Sequence, residues 1–345
     1  MLLDATPDPQ PVRRGEIVVL CSLAVLFLAQ VFTTFSTRCV EDEPWVSVPA
    51  YTLIAEGRLT NPVMEPPIDG KAPTLLRPPL LQLILAGVYS LAGVGIVQSR
   101  AVVAVFGLGT LILCYFTARQ LYGITVAGLA TVFLSVDNLH FLASRTFRVE
   151  APVTFFGLLC FFLVVMGAKE KKAWCFFAAG LAGAAAMSTH PHGLLPVSAT
   201  AIMILFLFGW RTVTKKETYL FLGGGILGAL PYLSWVIAED YANDFALFEE
   251  QILSRAPNGP GWLLDSIRRE FARRYADYVM FPLRFHIVLI VVASVIFSWV
   301  RRKTPDLILG FVIVWHLLLL ILLLTVNKNV RYLALLSPYI VILVG

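Results

Sequence analysis

The chain has 345 residues, is 58% hydrophobic and 14% charged, and carries a formal net charge of +5, with a mean hydropathy of +0.79. Soluble domains are about half apolar and about a quarter charged, so these values exclude an ordinary soluble enzyme and point to lipid as the solvent. The positive charge does not argue for nucleic acid, because cytoplasmic loops of membrane proteins carry an excess of Lys and Arg.

The first apolar run, Ile17 to Phe35, follows Arg13 and Arg14. It is long for a signal peptide and lacks a clear small-residue cleavage site, so an uncleaved first span is expected. Further apolar runs start at Pro79, Ala101, Val126, Ala151, Trp174, Leu194, Tyr219, Phe285, Leu307 and Tyr332. Most approach the roughly 20 residues that cross a bilayer as helix; the last is too short at about 1.5 Å per residue, so the chain is expected to be truncated or naturally short there. The predicted fold is all-α: a polytopic bundle of about ten transmembrane helices, forming one domain over residues 1–345. Cys21, Cys114, Cys160 and Cys175 fall in the apolar runs and Cys39 in a loop, with neither a disulfide framework nor metal-type spacing.

Charge bias sets the expected sidedness. If the run from Pro79 to Val97 crossed, the clusters at Arg119, Lys169–Lys172, Arg211–Lys216 and Arg301–Lys303 would lie on the opposite side from Arg13 and Arg14, against the positive-inside rule. A re-entrant or interfacial segment there puts all of them inside. Residues 37–99 then form an outer loop with amphipathic helices, and residues 238–284 a second outer loop. Apart from Asp137 and His140, near an outer helix end, ionisable residues are almost absent from mid-span, where ion and proton pathways place them. Chemistry at the outer surface suits this pattern better than transport.

The outer face collects short motifs. Glu41–Asp42–Glu43 opens the first loop; such a carboxylate pair suits a general base or a cation, and equally a solvated loop. Arg77 precedes Pro78–Pro79–Leu80, and Arg suits phosphate recognition as well as snorkelling to the headgroups. Ser144–Arg145, Arg148 and Glu150 share one short loop. Thr189–His190–Pro191–His192 ends a helix; two His at this spacing suit a polar substrate contact better than a metal site, since no third ligand can be named. Asn327–Lys328–Asn329–Val330–Arg331–Tyr332 precedes the last run.

Taken in order, these motifs resemble the GT-C superfamily of polyprenyl-phosphate-sugar-dependent glycosyltransferases, in the branch of protein O-mannosyltransferases and the lipid A aminoarabinose transferase. Asp42–Glu43 after the first span, Gly57, Arg77–Pro78–Pro79–Leu80, Asp137–Asn138 with Ser144–Arg145 and Glu150, and Arg331–Tyr332 with Pro338 carry the resemblance across nearly the whole chain. Glu150 stands where Asp is common, and His190–Pro191–His192 where related transferases often have Lys or other polar residues. The resemblance implies a polyprenyl-phosphate-linked sugar as donor, a lipid, glycan or protein as acceptor, and an active site on the extracytoplasmic face of the cell membrane, in contact with membrane lipid. It implies that Arg77, Arg145, Arg148, Lys328 and Arg331 bind the donor phosphate, that His190 and His192 contact substrate, and that Asp42 is the general base, with Glu43 as the alternative base and Glu150 orienting. No metal site is assigned and no cofactor is required by these residues; a divalent cation stays open. A lipid or sugar transporter and a non-catalytic lipid-binding subunit are the rival classes.

Overall fold

A computed structural model describes residues 11, 13–33, 35–39, 42–64, 78–238, 261–269, 292, 296, 300, 304–323 and 330–345. All regular elements among them are helical. The helices in chain order are α1 (Arg14–Phe32), α2 (Asp42–Glu56), α3 (Leu80–Ala92), α4 (Ile96–Tyr122), α5 (Ile124–Ser135), α6 (Asn138–Arg145) and α7 (Glu150–Glu170). They continue with α8 (Trp174–Thr189), α9 (Leu194–Phe208), α10 (Lys216–Ala238), α11 (Trp262–Arg269), α12 (Thr304–Leu323) and α13 (Ser337–Val344).

Local chemistry explains most boundaries. The Glu16 carboxylate accepts from the Arg13 backbone N–H at 3.0 Å and caps α1. Gly123, at a φ of 96° that favours glycine, ends α4. Asp137 accepts from the His140 N–H at 2.9 Å and starts α6 afresh, at a bend of 60° to α5. His190 ends α8 as its C-terminal cap, and Pro191 after it opens a 3-10 turn, Pro191–Gly193.

Two ion pairs orient the bundle. Arg100, near the start of α4, meets Glu43 at the start of α2. Arg119, near the end of α4, meets Glu16 at the start of α1. The two arginines are roughly 28 Å apart along the helix, close to the thickness of a bilayer core. The chain therefore leaves α1 and enters α4 at the same end of the bundle, and α2 and α3 lie between these points without a net crossing. At 13 residues, α3 reaches only about 20 Å. The broken pair α5–α6 returns the chain to the Asp42 end, α7 leaves it and α8 comes back. Lys169 donates to the Gln120 carbonyl at 2.8 Å, so Arg13, Arg119 and Lys169 share the far end.

The expectation of about ten spanning helices is corrected. Five helices among the described residues are long and apolar enough to cross, or six if α5 and α6 count as one broken span. Apolar runs overcount because lipid-compatible composition does not set helix length. Several runs fold as shorter helices: α3, α8 and the apolar stretch Thr304–Leu320. The run starting at Phe285 falls outside the described residues for nearly all its length. The protein is a multi-pass membrane protein on the strength of its long apolar helices. Their outward faces agree: Val18, Val25 and Leu26 on α1 and Leu222, Ile226 and Leu230 on α10 are exposed, as lipid contact allows.

The packed interior has two parts. One fills the bundle between α4, α5, α7, α8, α9 and α12, around Leu111, Phe161, Phe176 and Leu309. The other lies at the Asp42 end, where Leu81 and Leu85 of α3 meet Phe147, Leu195, Leu320 and Leu333. Small residues let α8 and α10 approach closely. A Cβ at Gly180 would strike the Phe221 carbonyl, and one at Gly224 the Phe177 carbonyl, the packing device common between membrane helices.

Candidate functional site at the Asp42 end of the bundle

Asp42 and Glu43 are adjacent in sequence but face different surroundings. Glu43 is 2% exposed. Its carboxylate takes both prongs of the Arg100 guanidinium, at 2.9 and 2.8 Å, and the Phe147 N–H at 2.9 Å. Arg100 also donates to the carbonyls of Phe35, Thr37 and Arg38 at 2.7, 3.0 and 3.1 Å. This network ties α2, α4, the end of the α1 segment and the loop carrying Arg148 into one piece. A buried bidentate pair with its remaining donors satisfied is the arrangement that offsets desolvation.

Asp42 instead borders a pocket of about 130 Å³, lined also by Trp45, Gln82, Arg148, His190, Arg331 and Tyr332. Its Oδ2 accepts from Arg148 and, at 2.9 Å, from Arg331. Both arginines also face Glu150: Arg148 Nε at 3.3 Å and Arg331 Nε at 3.5 Å. The result is a closed square of two carboxylates and two guanidiniums, contributed by α2, the 146–149 loop, α7 and the 3-10 turn Val330–Leu335. Burial raises the Asp42 carboxyl, but Arg148 first and then Arg331 outweigh it and hold the group below the usual carboxylate range. Burial also works against the Arg148 charge, yet Glu150 and Asp42 together raise this guanidinium above its ordinary value. Asp42 and Arg148 are therefore both charged at neutral pH.

The two histidines form a support beside the square. His190 Nδ1 accepts from the His192 N–H at 3.1 Å. The His192 ring lies 4.3 Å from that of His190 and 4.2 Å, edge to face, from Tyr332. His190 lines the pocket, while His192 is buried behind it against the residue next to Arg331. Arg145, expected at the phosphate, is not among the pocket-lining residues; its guanidinium sits 5.4 Å over the Phe141 ring. Arg77 and Lys328 lie outside the described residues. Among the described residues, no three His, Cys, Asp or Glu side chains are grouped to hold a metal ion.

Three contributors escape sequence reasoning. Arg100 stands one residue before an apolar run and reads as an interfacial anchor; a lone cation at a helix end asks for an acid but does not name it. Gln82 and Trp45 sit in ordinary helical positions that carry no motif signal.

The fold has known counterparts. The family described as dolichyl-phosphate-mannose-protein mannosyltransferase matches residues 76–235, just under half of the chain. The putative mannosyltransferase YkcB of Bacillus subtilis is 24% identical over 174 residues, 48% of this chain and 23% of that protein. This chain spans less than half the length of the curated relatives it matches. Among solved structures, ArnT of Cupriavidus metallidurans bound to undecaprenyl phosphate superposes with a TM-score of 0.69 at 16% identity, covering 97% of this chain and 60% of ArnT. The oligosaccharyltransferase AglB of Archaeoglobus fulgidus, in complex with an inhibitory peptide and a dolichol-phosphate, gives 0.60 at 14% identity, covering 96% and 50%. The family match covers α3 to α10 and the structural likeness almost the entire chain, so the likeness read from the order of the motifs holds: this chain resembles the GT-C polyprenyl-phosphate sugar transferases and has their fold.

Proposed function

We propose that the protein transfers a sugar from a polyprenyl-phosphate donor to the hydroxyl or other nucleophile of a lipid, glycan or protein acceptor, at the extracytoplasmic face of the cell membrane. The observation that carries this reading is the square of Asp42, Arg148, Glu150 and Arg331 on a pocket at one end of a membrane bundle. In the reaction, the acceptor oxygen attacks the anomeric carbon. The carbon–oxygen bond to phosphate breaks, and the electron pair leaves with the polyprenyl phosphate. The acceptor proton passes to Asp42. Arg148 and Arg331 stabilise the charge that grows on the leaving phosphate, the kind of electrostatic assistance that is often the largest catalytic contribution; Arg77 and Lys328 are further donors to that phosphate.

The same two arginines that would meet phosphate already hold Asp42 (Arg331 at 2.9 Å). Without a bound donor they make Asp42 a weak base. A phosphate drawing their donors away removes the two opposing charges and leaves burial to raise the carboxylate. Donor binding thus prepares the base. Glu150, shared by both guanidiniums, keeps them aligned during the exchange.

The decisive assay combines purified protein with labelled polyprenyl-phosphate sugars and candidate acceptors. Label on an acceptor supports the reading; uptake of the sugar lipid into vesicles without bond cleavage would replace it with transport. A pH profile adds a signed test. Activity that needs ionised Asp42 is lost as pH falls through its pKa. In the profile of kcat/KM, which reports the free enzyme, Arg331→Met removes one of the causes that lower that pKa while burial remains, so the acid limb should move to higher pH. A limb in the same place would mean that another group titrates there.

Sidedness has its own measurement. In an otherwise Cys-free chain, Cys39 should react with a membrane-impermeant maleimide on intact cells. A cysteine at Lys171 should react only after permeabilisation. The reverse pattern would put the pocket on the cytoplasmic face.

A further inference from the structure

We infer that Gln82 recognises a hydroxyl of the sugar on the incoming donor, a role that rests on the glycosyl-transfer reading. Gln82 lies in the first turn of α3, between the buried Leu81 and the partly exposed Leu83, and is 3% exposed. It lines the pocket together with Asp42, Arg148, His190 and Arg331. Its side-chain carbonyl Oε1 is buried and has no hydrogen-bond partner among the described residues. Buried polar atoms are rarely left in this state, because the lost hydration is not returned.

The parts of the donor differ in what they offer this atom. An isoprenoid chain offers nothing polar. A phosphodiester at neutral pH offers acceptors only. A sugar hydroxyl is both donor and acceptor, so it satisfies the amide in either orientation. The sugar is bonded directly to the phosphate that Arg148 and Arg331 would hold, which puts its hydroxyls within the same pocket. The amide therefore distinguishes the sugar from the phosphate beside it. Sites that hydrogen-bond a substrate hydroxyl reject analogues lacking it, because their own polar group is then stranded.

The test uses the full chain in lipid nanodiscs and two short-chain probes, polyprenyl phosphate and the same lipid carrying a hexose. Gln82→Met keeps the length of the side chain and removes the amide. Wild type should prefer the hexose-bearing lipid, and Gln82→Met should lose roughly fivefold of that preference while binding the bare phosphate as before. The unliganded variant should melt at the same or a higher temperature, since a stranded polar atom is gone. Gln82→Ala should show the same loss of preference even if the cavity it leaves lowers the melting temperature. A donor lacking the recognised hydroxyl should bind wild type and Gln82→Met equally. An unchanged preference, an equal loss for the bare phosphate, a change confined to acceptor KM, or no binding of either probe by wild type would each overturn the assignment. Normal binding preference with no transfer by wild type would instead retire the enzymatic reading and leave the role of Gln82 standing.

Discussion

Asp42→Asn should lower turnover by about 10² to 10⁴, the range that general-base assistance supplies, with the protein still folded. The substitution is nearly isosteric. Asp42 is a half-buried residue at the first position of α2, outside the Glu43–Arg100 network that ties the elements together. Donor binding should survive and can tighten, because Arg148 and Arg331 no longer divide their donors between Asp42 and a phosphate. Turnover and donor affinity measured on the same purified variant separate these effects. Loss of donor binding in step with turnover would make Asp42 a structural anchor for the arginines. Full activity would remove it from the mechanism.

Arg100→Met should be the most destabilising single change at this end of the bundle, costing about 3–5 kcal/mol as one partner of a buried ion pair is removed. Arg100 is 1% exposed, and without it the Glu43 charge would be left in an apolar setting. The double variant Glu43→Met with Arg100→Met should recover a large part of that loss, because the stranded charge is gone; only the Phe147 N–H and the loop carbonyls stay short of partners. Thermal melting of the two single variants and the double variant measures the coupling. Independent, additive effects would show that the pair contributes little. Glu43→Gln also decides which acid is the base: if Asp42 is the base, turnover per folded molecule should be near normal and only the folded fraction should fall.

The amino-acid sequence by itself determined the solvent and the all-helical, multi-pass fold class. Composition alone demands lipid, and apolar runs of helical length demand helices, since the backbone must satisfy itself inside a bilayer. The order of short motifs, from Asp42–Glu43 to Arg331–Tyr332, was enough to suggest the transferase superfamily. Tertiary structure decided the rest. In sequence Asp42 and Glu43 are neighbouring acids, with Asp42 favoured as the base and Glu43 the alternative; the position of Arg100, 57 residues from Glu43, makes Glu43 a buried strut and leaves Asp42 on the pocket. Arg145 and Arg148 are only three residues apart, yet Arg148 reaches Asp42 while Arg145 covers Phe141. Arg331 joins Asp42 across 289 positions of chain, and Gln82 carries a polar atom whose lack of a partner is visible only once its neighbours are in place. Helix count likewise depended on breaks such as the 60° bend before α6. The physical reason is common to all of these. Hydropathy and spacing are local properties that one segment carries alone, whereas the state of a charge or an amide is set by the groups that packing brings to it from distant parts of the chain.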